Sequence, residues 1–225
     1  MNISKIVKFL VLAVLILLAG CGQPRVQSGD LLFVGIPVDY SLEASSMDNA
    51  IVSATGDSNQ INYIHVAILE VEDGQTWVID ATVKHGVDRH PLDTFLADFT
   101  LKDGSLPLLD VRRVKNITSQ QVQAAVERAK SFVGKSYDYA FLPDNDSLYC
   151  SELVQKSYLD MHGCPIFASH PMNFKDADGN MPVYWEQLCA ILGMPVPQGL
   201  NGTNPQDMSA SPKLEKVCVL PVEKK

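Results

Sequence analysis

The sequence predicts an α+β domain with a small, mainly antiparallel sheet packed against helices. Three observations carry that expectation. An apolar run of strand length lies at 31–34 and further strand candidates at 63–71, 76–83 and 108–114, the middle two joined by the turn signal Asp73-Gly74. Segments with helical spacing lie at 45–55, 91–99, 119–132, 150–163 and 182–192. The two kinds do not alternate as regular βαβ units, which argues against a parallel sheet. The 225 residues, 46% hydrophobic and 20% charged, suit one folded domain and exclude wholesale disorder.

The first twenty residues stand apart. Lys5 and Lys8 precede Phe9–Leu18, which carries no polar side chain. Ten residues span roughly 15 Å as a helix, about half of a bilayer core, so the pattern fits a signal peptide rather than a transmembrane helix. Residues 21–28 then read as a short tether and 29–225 as the domain. Gly29-Asp30 opens the apolar run Leu31–Val34. Ser45 or Ser46 can cap a helix carrying Met47, Ala50, Ile51 and Ala54 on one face, ended by Gly56-Asp57. Tyr63–Val71 and Thr76–Val83 form the expected hairpin, with His85 and His90 in the loop beyond it.

Pro91 starts a short helix with Leu92, Phe95, Leu96 and Phe99 on one side. Leu108–Val114 is the next strand. Thr118 with Gln121 has capping-box spacing, and Val122, Ala125, Val126, Ala129 and Phe132 follow at helical intervals up to Gly134. A further helix is expected from Cys150 to Gly163, another over 182–192, and a last strand at Val217–Leu220. The proline-rich stretch between these last two reads as loop.

Cys150 carries the chemistry. It follows the turn-rich Asp144-Asn145-Asp146-Ser147 and sits where a helix should begin. Unpaired N–H groups and the positive end of the helix dipole favour a thiolate there, and the same N–H groups can receive an oxyanion. A thiolate nucleophile needs a base, and His65, His85, His90, His162 and His170 are available; position alone does not rank them. Asp80 lies inside an apolar strand expected to pair with that of His65. Such an acid is unfavourable unless it has a partner or faces water, and both readings stay open.

Two resemblances sharpen this. Leu18-Ala19-Gly20-Cys21 resembles the lipobox of bacterial lipoproteins, which implies cleavage before Cys21 and acylation of its thiol and amine. Gly134-Lys135-Ser136-Tyr137, followed by Cys150-Ser151-Glu152-Leu153-Val154, resembles the nucleophile region of NlpC/P60 cysteine hydrolases. His65 precedes Cys150, and Gly29-Asp30-Leu31-Leu32-Phe33 precedes the histidine. That order resembles the circularly permuted YiiX/YebB-like branch. The resemblance implies a papain-like permuted fold with Cys150 as nucleophile, His65 as base, Asp80 as orienting acid and Tyr137 beside the oxyanion. Family members often carry the longer Glu where Asp80 stands. It further implies an acyl-enzyme route with no metal or cofactor, acting on cell-wall peptides or, alternatively, on acyl lipids. A non-catalytic lipoprotein that uses the cleft only to bind is the third possibility.

The charge and the other cysteines complete the reading. Eighteen Lys and Arg against 26 Asp and Glu give −8, and removal of residues 1–20 leaves 16 against 26, or −10. That excludes phosphate neutralisation as a way of working, so no nucleic-acid partner is expected. It also leaves membrane attachment to the lipid on Cys21. Gly22 in place of Asp points to the outer rather than the inner membrane of the cell envelope. Cys164, Cys189 and Cys218 form no tight metal-ligand cluster and read as packed thiols, with one disulfide open to them in an oxidising envelope. Labelled fatty acid should be incorporated by the full chain and not by Cys21→Ala; equal labelling of both would overturn the lipoprotein assignment.

Overall fold

The computed structural model describes residues 26–37, 40–56 and 61–220; the signal segment, Cys21 and the tether to residue 25 lie outside them. Six strands build one antiparallel sheet: β1 (Leu31–Ile36), β2 (Asn62–Glu72), β3 (Gln75–Thr82), β4 (Gly86–Pro91), β5 (Leu108–Val114) and β8 (Leu214–Val219), in the order β4-β3-β2-β1-β5-β8. Two-residue strands β6 (His170–Pro171) and β7 (Asn201–Gly202) pair separately. The helices are α1 (Met47–Thr55), α2 (Leu92–Asp98), α3 (Ser119–Ser131), α4 (Cys150–Ser157), α5 (Val183–Leu192) and α6 (Pro205–Ser209).

The sheet separates two apolar clusters. On one side Leu31, Phe33, Val66, Ile68 and Ile79 pack against Ala125, Val126 and Ala129 of α3 and Leu153 and Val154 of α4. On the other, Leu32, Val34, Leu69, Val78 and Val111 pack against Phe95 of α2. Alternate residues of β1 thus feed opposite clusters, and all six are buried, as a central strand covered on both faces requires.

Register matters most in β2. Val34 pairs with His65 but Gly35 pairs with Tyr63, so Ile64 is an extra, bulged residue. A bulge shifts the side-chain alternation by one. Tyr63 joins the α3/α4 cluster, while His65, two residues on, packs against Phe95 and Phe99 beside α2.

Local signals account for most boundaries. The expected capping box closes α3, Thr118 and Gln121 bonding reciprocally, and Ser46 caps α1 through the Asn49 N–H. Three expectations need correction. His90 is not in a loop but on β4, a strand held by pairing Val78 with His90 and Asp80 with Asp88. The Cys150 helix stops at Ser157 rather than near Gly163. Tyr158 turns extended, its hydroxyl donates to the Gly29 carbonyl, and its own carbonyl accepts the Ile166 N–H, so Met161 ends on the surface. The proline-rich tail also contains β7 and α6, and β8 begins three residues earlier than expected.

The domain entrance is pinned at 26–30. Val26 packs on the second cluster, the Gln27 N–H donates to Asp30, and Asp30 receives two Arg113 hydrogen bonds at 2.6 and 2.8 Å. Gly29 has φ +84°, and a Cβ there would lie 2.3 Å from Val122 Cγ1. Gly29→Ala combines a left-handed backbone with overpacking and should cost about 2–4 kcal/mol. Urea denaturation would read this as a lower midpoint at unchanged slope.

Candidate active site

Cys150 is the first residue of α4, after Tyr149 in extended conformation. It is 6% exposed. As the first helical residue, its N–H has no partner within the helix. The motif around it has a mechanical role. The Gly134 N–H donates to the Val87 carbonyl, and the Lys135 carbonyl accepts the Val87 N–H, both at 2.8 Å, which hooks this turn onto β4. Gly134 makes the turn at φ +94°. Two residues on, the Leu148 N–H donates to Ser136 and the Asp138 N–H to Leu148, each at 3.1 Å, forming the Tyr137–Leu148 bridge. The Gly-x-x-Tyr segment therefore braces the residue two before Cys150 against the sheet.

His65 meets this helix start from the other cluster. Its Nε2 lies 2.8 Å from Asp80 Oδ2, and the ring shares a cavity wall with Cys150, whose charge acts on it. Asp80 is completely buried, and at 2.8 Å it reaches His65 despite being one methylene shorter than Glu. Burial alone would push the His65 imidazole down; the negative charge and hydrogen bonding of Cys150 and Asp80 outweigh it and push it up to about 10. The ring is held against Phe99, with centroids 4.7 Å apart. Tyr137 is buried on the same cleft wall, its hydroxyl 3.8 Å from Met47 Sδ; burial and the charge of Cys150 raise its phenol well above the usual range.

Two cavities meet at Cys150. One, of about 200 Å³, includes Asp48, His65, Ala81, Lys84 and Phe99. The other is apolar and aromatic, lined by Ile51, Phe141, Met172, Phe174 and Trp185. Ile51 of α1 and Tyr137 border both.

Of the five histidines, only His65 reaches Cys150 among the described residues. His85 is engaged with Asp98 at 2.8 Å, and neither His162, in a turn, nor His170, on β6, lines the cavities that meet at Cys150. Three side chains join the site in positions that the sequence pattern does not give. Asp48 is an ordinary first-turn acid by pattern, yet burial raises its carboxyl against the opposing charge of His65. Glu152, buried inside α4, pairs with Lys156 at 2.8 Å; burial lifts it to about 7. His90 lies behind Asp80. The four described cysteines are free thiols, so the disulfide left open to Cys164, Cys189 and Cys218 is not formed; burial raises the thiols of Cys189 and Cys218.

The profile of permuted papain-like amidases, the YaeF/YiiX, C92 family, matches residues 25–218. YiiX of Escherichia coli K12 is 28% identical over 193 residues, covering 85% of this chain and 86% of its own length. A crystal structure described as metalloprotein YiiX from Escherichia coli O157:H7 superposes with a TM-score of 0.66 at 27% identity, covering 88% of this chain and 99% of that one.

His65 binds its proton more tightly folded than unfolded. Its contribution to stability is therefore complete below about pH 6.5 and is lost as pH rises through about 10. NMR should find its ring titrating near 10. In Cys150→Ala the midpoint should fall by at least about two units, since the Cys150 charge is gone. An unchanged midpoint would show that the two groups do not interact.

Proposed function

The chain belongs to the permuted papain-like amidase family of the YaeF/YiiX, C92 type and is a cysteine hydrolase; from that premise we propose that it cleaves amide bonds in cell-wall peptides through Cys150, His65 and Asp80. The observation that carries this reading is the 2.8 Å bond of His65 to Asp80 in a cavity whose wall His65 shares with Cys150.

In the proposed cycle the resting pair is Cys150 thiolate and His65 imidazolium. The sulfur attacks the carbonyl carbon, and the oxyanion settles between the Cys150 N–H and the Tyr137 hydroxyl, which gives up its weak contact with Met47. As the carbon–nitrogen bond breaks, His65 passes its proton to the leaving amine. Water then attacks the thioester while His65 takes a proton from it, releasing the acid and restoring the ion pair. Asp80 holds the ring throughout by its 2.8 Å bond to Nε2.

The related crystal structure is described as a metalloprotein. Among the described residues here, no group of three or more His, Cys, Asp or Glu is placed to hold a metal ion, so the donor set does not fit one and no step uses a metal. The polar groups Asp48 and Lys84 on one side of Cys150 suit a peptide chain. The aromatic cavity on the other side favours a second reading, an acyl-lipid substrate whose chain lies against Phe141, Phe174 and Trp185. Under either reading the enzyme is anchored in the bacterial envelope through lipid on Cys21, at the outer membrane, and has no nucleic-acid partner.

Murein peptides and acylated lipids assayed in parallel separate the two. Cys150→Ala should abolish turnover of the true substrate. Asp80→Ala should slow it by roughly 10²- to 10⁴-fold while the protein stays folded. Equal rates for wild type and Cys150→Ala on every substrate would overturn the proposal.

A further inference from the structure

Asp80 presents two oxygens and uses one. Oδ2 is bonded to His65, whereas Oδ1 is buried with no hydrogen-bond partner. A carboxylate this deep is unfavourable with an oxygen left bare. Beside Oδ1 stands His90 Nε2, 3.7 Å away. His90 is itself 6% exposed, and both of its ring nitrogens also lack hydrogen-bond partners. With its proton on Nε2, His90 faces this buried acceptor across a gap that a shift of under about 1 Å would close to a hydrogen bond.

The surroundings hold this arrangement in place. His90 is fixed on β4 opposite Val78 and lies flat on Phe95, 6.2 Å between centroids at 22°. Its Nδ1 is 3.4 Å from Asp88 Oδ2. His85, in the β3–β4 turn, is 5.9 Å away ring to ring and is itself tied to Asp98 of α2. Beyond Asp80, His65 faces Cys150 and the charge of Asp48.

We propose that His90 is a positioning residue of the reaction, supplying through Nε2 the support that Asp80 Oδ1 otherwise lacks and so governing how firmly Asp80 holds His65. This rests on the Cys150–His65–Asp80 reading above. The need for it arises within the cycle. While His65 is an imidazolium, its charge balances the buried Asp80. When His65 hands its proton to the leaving group, Asp80 is left with less compensation, and an N–H closing onto Oδ1 lowers the cost of that step. Removing the donor should make His65 cling to its proton and become a poorer acid.

The test needs no knowledge of the substrate. Iodoacetamide alkylation of Cys150 in the full chain, followed across pH by mass spectrometry of the Cys150 peptide, reads the ion pair. NMR of the His65 ring reads its midpoint directly. His90→Leu and His90→Phe both remove the donor, the second keeping an aromatic ring on Phe95, while His90→Gln keeps an N–H. In whichever donor-free variant folds, the His65 midpoint and the upper step of the alkylation profile should rise by about half to one pH unit. His90→Gln should return both toward wild type. Once a substrate is known, kcat should fall roughly three- to tenfold with KM unchanged. A folded donor-free variant with an unmoved or lowered His65 midpoint would overturn the role of His90, whatever its melting temperature. So would failure of both donor-free variants to fold while His90→Gln folds with a displaced midpoint. Wild-type Cys150 that alkylates no faster than an ordinary thiol below pH 8 would instead overturn the triad on which it rests.

Discussion

The bulge at Ile64 is the constraint on which the site depends. Cys150 belongs to the cluster beneath α3 and α4, and His65 packs with Phe95 and Phe99 on the opposite side of the sheet. In an unbroken strand Tyr63 and His65 would share a face. The extra residue lets Tyr63 stay in the first cluster, bonded to Asp110 at 2.6 Å, while His65 turns to the second and still meets Cys150 in one cleft. Asp80 is on the His65 side because β3 alternates without interruption, Val78 to one cluster and Ile79 to the other. One inserted residue thereby reconciles two packing requirements with one chemical requirement.

A second device keeps the nucleophile from drifting. The helix that carries Cys150 is only eight residues long and its N-cap residue offers no side-chain cap. Glu152 in the first turn adds its negative charge at the positive end of this helix, at the cost of burying a carboxylate that pairs with Lys156 at 2.8 Å. The Gly134–Tyr137 segment adds the other support, one end on Val87 and the other on Leu148. Since Val87 and His90 share β4, the strand that braces the nucleophile also flanks the buried acid. The two halves of the site are linked through backbone hydrogen bonds rather than through side-chain contacts alone.

What could be read in advance follows the range of the forces involved. Strand β5 and helix α3 were legible because their signals are local: Leu108, Leu109, Val111 and Val114 within seven residues, and a capping box whose two residues are three apart. Helix α4 was overrun because Tyr158 and Met161 continue its spacing, while the hydrogen bond from Tyr158 to Gly29, 129 residues away, ends it. Strand β4 has no strand signal of its own because Asp88, Arg89 and His90 leave it almost no apolar alternation; pairing with β3 makes it a strand. The position of Cys150 at a helix start was visible from its neighbours, but the choice of His65 among five histidines came from motif order, since the bulge that aims it has no sequence mark. Asp48 and His90 are site neighbours only by tertiary placement.

The pinned entrance also bears on where such an enzyme can work. Val26 is packed against the domain and Gln27 and Ser28 are hydrogen-bonded, Ser28 to both backbone groups of Val71. If lipid is carried by Cys21, only five residue steps separate it from the folded body, at most about 17 Å of extended chain. A domain of about 200 residues has a radius of gyration near 16 Å by size scaling. The cleft would then sit within about 60 Å of the bilayer, with little freedom to range farther. With a chain balance near −10 and no electrostatic pull toward an anionic surface, the lipid alone would set that distance. Under the proposed anchoring, the accessible amides are those of the wall layer nearest the membrane, and an acyl lipid becomes accessible only if the aromatic cavity beside Trp185 turns toward the bilayer. Orientation on the membrane, more than cleft chemistry, would then decide between the two substrates.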